Sequence, residues 1–287
     1  MLCTIGDLIE DVVVWLSAEP NLGTDTDSII QRTRGGSAAN VAMFAALTGT
    51  KSRFIGQVGN DTLGQQLCSL LQQAGVDVCV VNEGRTGSIV VLVQPNGERT
   101  FLTDRGVASH LSLVDASLIA SVGILHVPSY SLVTEPLAST SLLYIKAAQS
   151  LGAVISVDAS STSVLEHFGV ARYKSLIQSI QPQVFLCNED EAGLLGAGAT
   201  EGMPGAALTV IKRGAHSTLA ISQNNERSEV AVAPVANIVD TTGAGDAFAA
   251  GFLPTFVATN DVESAIARGH AVAARVLRSP GATLDVA

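Results

Sequence analysis

From residue 111 onward, short apolar runs alternate with longer amphipathic stretches. Short apolar runs between polar turns are typical of buried strands, and apolar positions recurring every three or four residues are typical of helices. The predicted strands are 122–127, 153–157, 183–187, 208–212 and 218–222. The predicted helices are 112–120, 135–150, 171–180, 189–195 and 260–277. This alternation predicts an α/β fold with a doubly wound, mostly parallel sheet flanked by helices.

The first 110 residues show a more mixed pattern. Strands are predicted at 2–5 and 54–59, an alanine-rich helix from Gly36 to Leu47, and a second helix at 62–74, while 17–33 is polar and rich in turn residues. Short β segments are predicted at 12–15, as an edge strand, and at 78–81, 88–94 and 99–103, the last two joined by a hairpin turn at 95–98. Together these segments predict a small second sheet, built from about 11–34 and 78–104.

Composition limits the possible partners. The 287 residues, 47% hydrophobic and 15% charged, are enough for one large α/β domain spanning 1–287. The net charge of −10 argues against nucleic acid or an anionic membrane surface as a partner. No apolar run approaches the roughly 18 residues of a membrane span, and the start of the chain resembles a strand rather than a signal peptide. We therefore expect a cytoplasmic protein.

The four cysteines, Cys3, Cys68, Cys79 and Cys187, lie in apolar surroundings without the spacing of a metal site. We expect them to be reduced core residues rather than disulfides or ligands.

The segment 239–248, with the sequence VDTTGAGDAF, carries the strongest chemical signal. A strand end at 237–239 is expected to lead through a Gly-Ala-Gly turn into a helix. The amides of Gly243, Ala244, Gly245 and Asp246 would then form an anion site at the helix N-terminus. Asp246 lies in the same turn, where a carboxylate base could meet a substrate hydroxyl. An anion cradle beside a base suits phosphoryl transfer, although Asp246 could instead only cap the helix.

This segment resembles the second signature of the ribokinase-like (PfkB-type) carbohydrate kinases, and 34–42 (RGGSAANVA) resembles their first. The resemblance extends from Gly6 to Ala282 and implies a ribokinase-like fold in which the small sheet is a lid. It also implies an ATP-dependent kinase for a small sugar or sugar-like alcohol, with Asp246 as base. A homodimer formed through the lid sheet is a further expectation.

On the acceptor side, the resemblance implies that Asp11, Gly36 and Asn40 bind the sugar. Arg105 follows the last lid segment and could contact either the substrate or an acid such as Asp104 or Glu98. Ser37 departs from ribokinase, which has a lysine at this position, and this departure argues against ribose as the substrate.

On the nucleotide side, Asn188 and Glu191 match an Asn-x-x-Glu pair that organises Mg²⁺ through water, and the same pair could form a helix capping box. The resemblance further assigns Lys212, Gly214, Thr242 and His270 to the nucleotide. Asp240 could help to hold a monovalent cation such as K⁺ together with 279–282, or only cap the turn.

Two alternatives remain open at this point. One is a nucleoside kinase on the same scaffold, with Trp15, Phe101 and Tyr130 as candidates for stacking on a base. The other is a non-catalytic sugar-binding module, against which the intact Gly-Ala-Gly-Asp sequence argues.

Overall fold

The computed structural model describes residues 1–96, 98–198 and 200–284. The strands are β1 (Leu2–Ile5), β2 (Ile9–Leu16), β3 (Ser28–Gly35), β4 (Ser52–Val58), β5 (Asp77–Asn82), β6 (Thr86–Val93), β7 (Arg99–Gly106), β8 (Ile124–Pro128), β9 (Val154–Asp158), β10 (Val184–Asn188), β11 (Leu208–Lys212), β12 (Thr218–Ser222) and β13 (Arg227–Val230). The α-helices are α1 (Ser37–Leu47), α2 (Thr62–Gln73), α3 (Tyr130–Val133), α4 (Leu137–Ser150), α5 (Thr162–Phe168), α6 (Val170–Ile180), α7 (Glu189–Leu195), α8 (Ala244–Thr259) and α9 (Val262–Val276).

Within these described ranges, the main sheet has nine strands in the order β13-β12-β11-β10-β9-β8-β1-β4-β5. The seven strands from β11 to β5 pair in parallel, and β12 and β13 are added antiparallel at one edge. The strand order runs away from β1 in both directions, which confirms the predicted doubly wound sheet.

Alternate residues of the strands point to opposite faces of the sheet, so each face packs against its own helices. Cys3, Leu125 and Phe185 belong to a core with α4, α6 and α7. Leu2 and Val210 belong to a second core on the other face, with α1, α8 and α9. Both faces are therefore buried, as the near-continuous apolar runs predicted.

A smaller sheet, which we call the lid sheet, has the order β3-β2-β6-β7. It differs from the prediction in three respects. The strand around 12–15 is central rather than at an edge, because β2 pairs with both β3 and β6. Residues 28–35 form β3 although 17–33 is polar, since the edge of a small exposed sheet need not be apolar. Residues 78–81 lie in β5, which pairs with β4 in the main sheet and not in the lid.

Most other boundaries agree with the prediction within two residues. The predicted helix 112–120 is reduced to one 3₁₀ turn, Ala116–Ile119, and no strand precedes the Gly-Ala-Gly turn at 237–239. Ile238 and Val239 are 55% and 60% exposed, so their apolar character reflects the cavity they line rather than a buried strand. The predicted hairpin turn at 95–98 includes Gly97, which lies outside the described residues.

The four cysteines are free, and Cys3, Cys68 and Cys187 are buried. In the part of the chain that the structure describes, no helix combines the length and apolar character needed to cross a bilayer.

Candidate active site

A cleft of about 1710 Å³ lies between the lid sheet and the carboxyl ends of the parallel strands. Its lid wall includes Asp11 and Trp15, and its opposite wall includes Asn188, Lys212 and the turn before α8. The carboxyl edge of a doubly wound sheet is where such folds place their ligands. Residues of both signature motifs line this one cavity.

The Gly-Ala-Gly turn forms the predicted start of a helix. Gly243 adopts a left-handed conformation (φ 78°) and α8 begins at Ala244. A Cβ at Gly243 would lie 2.7 Å from Cβ of Ala282, so the turn needs glycine for both its conformation and its packing. The amide of Ala244 is used inside the turn, where it donates to the carbonyl of Thr241 (3.2 Å). The next amides, of Gly245 and Asp246, lie in the first turn of the helix, which supplies no acceptor for them.

Asp246 lines the cleft in the first turn of α8. Its Oδ1 accepts a hydrogen bond from Ser37 (2.6 Å) and its Oδ2 accepts one from the amide of Asn40 (2.7 Å). Burial raises the pKa of Asp246 to about 6, although both hydrogen bonds oppose that rise. A carboxylate with a pKa near 6 is ionised at neutral pH and is more basic than an exposed aspartate, as a general base requires.

Asp11 lies on the lid wall of the same cleft, in β2. Burial also raises its pKa to about 6, while the nearby Arg34 lowers it. Gly36 lines the cleft with φ 101°, and a Cβ there would overlap the carbonyl oxygen of Asp7. These two residues fit the predicted acceptor end.

Asn40 makes two contacts that the sequence did not predict. Its Oδ1 accepts a hydrogen bond from the guanidinium of Arg34, and its Nδ2 donates to Asp246. Each end of the amide thus has a protein partner, and Asn40 holds the Asp246 carboxylate. The second N–H of Nδ2 is left over from these two bonds, so a contact with the sugar stays a prediction. Ser37, noted in the sequence only as a departure, likewise donates to Asp246.

Arg105 reaches the acceptor end and pairs there with Asp7, which is buried. Its guanidinium also lies over the ring of Tyr130, 4.6 Å from the ring centroid. Asp104, the partner considered from the sequence, pairs instead with Arg85. Arg105 therefore faces the cavity, but its charge is already balanced.

The carboxyl ends of β9, β10 and β11 form a charged cluster. Nζ of Lys212 donates to Oδ2 of Asp158 (2.7 Å), and Asp158 and Glu191 hold the pKa of Lys212 above its usual value although burial opposes this. Asn188 and Glu191 form the expected capping box, with reciprocal backbone contacts of 2.8 Å. No role was predicted for Asp158 from the sequence. A signal was present, because charged residues that end neighbouring parallel strands lie at the same edge of the sheet.

The cluster fits a hydrated Mg²⁺. Burial, and to a smaller extent the neighbouring Asp158, raise the pKa of Glu191 to about 7, although Lys212 opposes the shift. A cation bound nearby would favour the ionised form of this carboxylate. Among the described residues, no group of three or more acidic, histidine or cysteine side chains could hold a metal. Mg²⁺ commonly binds through few carboxylates, with waters and substrate phosphates completing its shell, and this cluster suits that mode.

The cleft is also lined by the predicted nucleotide residues Gly214, Thr242 and His270. Nε2 of His270 lies 2.7 Å from the hydroxyl of Thr218, and its ring packs against Phe248. Burial lowers the pKa of His270, so the ring is neutral at physiological pH. A neutral, packed imidazole offers an apolar face to a flat ligand.

Asp240 makes the capping contacts that the sequence considered for it. Its Oδ1 accepts hydrogen bonds from the amide and hydroxyl of Thr242 (2.9 and 2.8 Å) and from Arg99 (3.0 Å), and its Oδ2 accepts one from the amide of Gly281 (3.0 Å). Burial opposes ionisation, yet these hydrogen bonds lower the pKa of Asp240. Three donors therefore occupy Oδ1, whereas Oδ2 accepts one hydrogen bond, and a role of Asp240 in holding K⁺ stays a prediction. Arg99 could not be identified from sequence, because only the docking of the lid brings it here.

Comparison with known proteins gives a consistent result. A family model described as pfkB family carbohydrate kinase matches residues 1–287. A fructokinase of Salmonella typhimurium is 32% identical over 262 residues, which cover 85% of this chain and 84% of the relative. An ATP-dependent 6-phosphofructokinase of Thermoanaerobacterium thermosaccharolyticum is 27% identical over 297 residues, covering 99% and 89%.

Among solved structures, the adenosine kinase from Sinorhizobium meliloti superposes with a TM-score of 0.86 at 21% identity, covering 100% of this chain and 96% of that one. The Arabidopsis thaliana ribokinase complexed with ribose and ATP gives 0.82 at 22% identity, covering 99% and 95%. These likenesses establish the ribokinase-like fold, and the family match covers the whole chain. The chain therefore belongs to the pfkB family of carbohydrate kinases, which are phosphotransferases with an alcohol group as acceptor.

Proposed function

We propose that this kinase transfers the γ-phosphate of ATP to a hydroxyl of a small neutral sugar, with Asp246 as the general base. The observation that carries the proposal is the position of the Asp246 carboxylate, which lies in the first turn of α8 and lines the same cleft as Asp11 and Gly36. The curated relatives named fructokinase make fructose the first candidate acceptor.

In the proposed reaction, the sugar hydroxyl attacks the γ-phosphorus while the bond to the bridging oxygen of ADP breaks. The hydroxyl proton passes to Asp246, whose oxygens each keep a lone pair beyond the bonds from Ser37 and Asn40. The first amides of α8 and the ammonium of Lys212 stabilise charge on the transferring group. Asn188 and Glu191 would hold the water shell of Mg²⁺, which neutralises phosphate charge when bound with ATP.

The charges at the acceptor end support a neutral sugar. Asp7, Asp11 and Asp246 lie there beside two guanidinium groups, Arg105, which is paired with Asp7, and the buried Arg34. Three carboxylates beside two guanidinium groups leave this part of the cleft negative. A phosphorylated or acidic acceptor would bring further negative charge to this wall, where like charges repel.

We expect Arg105→Lys to change kcat/KM for a neutral sugar by less than about fivefold, because a lysine can keep the ion pair with Asp7. For an anionic acceptor bound by the planar fork of the guanidinium, the same change would cost more than about tenfold. Steady-state kinetics with fructose and with fructose 6-phosphate distinguish these cases. A loss beyond tenfold with fructose would contradict the assignment of Arg105 as a charge-balanced wall residue.

The pH profile gives a second prediction. Asp11 and Asp246 both have pKa values raised to about 6, and both must be ionised, one to accept sugar hydroxyls and one to accept the proton. We therefore expect log kcat/KM to fall below about pH 6 with a slope that approaches two. Activity that stays constant down to about pH 4.5 would show that neither carboxylate acts in this way.

A coupled ADP-release assay tests the function itself. The acceptors are fructose, ribose, fructose 6-phosphate, gluconate and adenosine, each with ATP and Mg²⁺. We expect the highest kcat/KM with fructose. A preference for adenosine would favour the nucleoside kinase. If no ATP is turned over with any of these acceptors, the non-catalytic alternative is favoured.

A further inference from the structure

Arg34, in β3 of the lid sheet, is almost completely buried, with 6% of its surface exposed. Burial lowers its pKa to about 10, although the neighbouring Asp246 and Asp11 oppose that shift, so it remains charged at neutral pH. Burying a guanidinium is costly unless its donors are well paired. The hydrogen bonds of the Arg34 guanidinium are therefore important for the structure of the site.

Those contacts join three distant parts of the chain. One guanidinium nitrogen of Arg34 donates to Oδ1 of Asn40 in α1, and the other donates to the carbonyl of Ala282 (3.2 Å), beside the C-terminal turn. Asn40 in turn donates to Asp246 in α8 (2.7 Å). The lid strand, the helix of the first signature and the helix of the second signature are thus connected by one buried side chain.

The orientation of the Asn40 amide follows from these partners. A guanidinium only donates and an ionised carboxylate only accepts, so Oδ1 of Asn40 must face Arg34 and Nδ2 must face Asp246. Ser37 holds the other carboxylate oxygen. With Arg34 in place, both carboxylate oxygens are fixed in direction.

We propose that Arg34 is a positioning residue for the phosphoryl-transfer step: it fixes Asn40, and through Asn40 it sets the orientation of the Asp246 carboxylate when the lid strand is seated. This inference rests on the proposed role of Asp246 as base and adds a residue to it. Arg34 does not line the cleft and acts without touching the substrate.

Two substitutions separate geometry from charge. Arg34→Lys keeps a positive charge but loses the fork that reaches two acceptors, so kcat should fall about tenfold or more, with a smaller change in the KM for sugar. Arg34→Gln keeps a donor but removes the charge.

The charge-free variant should also shift the pH profile. The Asp246 carboxylate faces Asp158 on β9, Lys212 on β11, Tyr130 on α3 and Arg34 on β3. Losing the positive charge of Arg34 raises the pKa of both Asp246 and Asp11. In Arg34→Gln, the acidic limb of kcat/KM should therefore lie at higher pH than in the wild type, whereas in Arg34→Lys it should stay in place.

Arg32→Lys is the matched control, because Arg32 lies on the same strand and pairs with Glu10 outside the cleft. It should leave kcat unchanged. The single variant Asn40→Ala and the double variant Asn40→Ala with Arg34→Lys complete a double-mutant cycle in which kcat is measured. If Arg34 acts through Asn40, the losses in kcat will be strongly non-additive.

Thermal melting and ATP binding verify that each variant is folded, and Arg34→Gln serves as the test if Arg34→Lys does not fold. Additive losses, or a kcat of either Arg34 variant within about twofold of the wild type, would overturn the proposal. Asp246→Asn, measured in parallel, keeps the two proposals apart. If that variant stays active, the assignment of the base has failed; if it is inactive while the Arg34 variants are normal, only the role of Arg34 has failed.

Discussion

Asp246→Asn is expected to lower kcat by about 10²–10⁴-fold, the usual contribution of a general base. Asparagine has the shape of aspartate, and its oxygen can accept from Asn40 while its amide nitrogen donates to the Ser37 hydroxyl, which reverses that hydrogen bond, but it cannot accept the hydroxyl proton. The dissociation constants for ATP and sugar should change little. Single-turnover kinetics and calorimetric titration measure these two quantities separately. A variant that retains more than about a tenth of the wild-type kcat would show that Asp246 is not the base.

The same substitution should not destabilise the fold. The pKa of Asp246 is raised to about 6 in the folded protein, so the folded state binds this proton more tightly than the unfolded state does. Stability from this group is therefore present at low pH and is lost as pH rises through about 6. At about pH 8 the wild type buries an ionised carboxylate, which lowers its stability, and a neutral asparagine avoids this. The melting temperature of the variant should therefore equal or exceed that of the wild type. A marked decrease would indicate that Asp246 is needed for structure.

Asp11→Asn is expected to act on the acceptor side. A carboxylate that accepts sugar hydroxyls makes charge-assisted bonds of about 1.5–3 kcal/mol each, so the KM for sugar should rise by about tenfold to a hundredfold. The KM for ATP should stay within about twofold, because Asp11 lies on the lid wall and the predicted nucleotide residues belong to other elements of the cleft.

The neighbouring Glu10→Gln is a matched control for this experiment. It removes one negative charge from the adjacent position of the same strand, where Glu10 pairs with Arg32 and does not line the cleft. Both KM values should be unchanged in this variant. If Asp11→Asn raised the KM for ATP and left that for sugar unchanged, the acceptor would have to bind elsewhere.

The sequence predicted the main sheet well because its strands are buried on both faces. Such strands appear as continuous apolar runs, as in 183–187 and 208–212, and the structure confirms both within one residue. The lid was predicted less well, since its edge strands β3 and β7 are exposed over much of their length and lack a continuous apolar run. β5 pairs with β4 and not with a strand of the lid sheet. This pairing depends on tertiary packing and leaves no local pattern in the sequence.

In the site, too, features with a local sequence pattern were predicted and those that depend on tertiary packing were not. Motif residues such as Asp246 and Gly36 were located because glycine-rich turns and adjacent acids have a local chemical meaning. The partners of the motif residues were not found, because Arg34, Asp158 and Arg99 meet their partners only across the fold. Asn40 was recognised as a site residue, but its contacts with Arg34 and Asp246 were not predicted, since sequence shows its place on α1 and not the direction of its amide.

Direct detection of the product is the measurement that tests the central claim most directly. Wild-type enzyme and Asp246→Asn are incubated with ATP, Mg²⁺ and fructose, and phosphorus NMR follows the γ-phosphate. The account predicts a sugar phosphate that forms in proportion to ADP with the wild type and is nearly absent with the variant. Release of inorganic phosphate without sugar phosphate from the wild type, or equal product from both proteins, would contradict it.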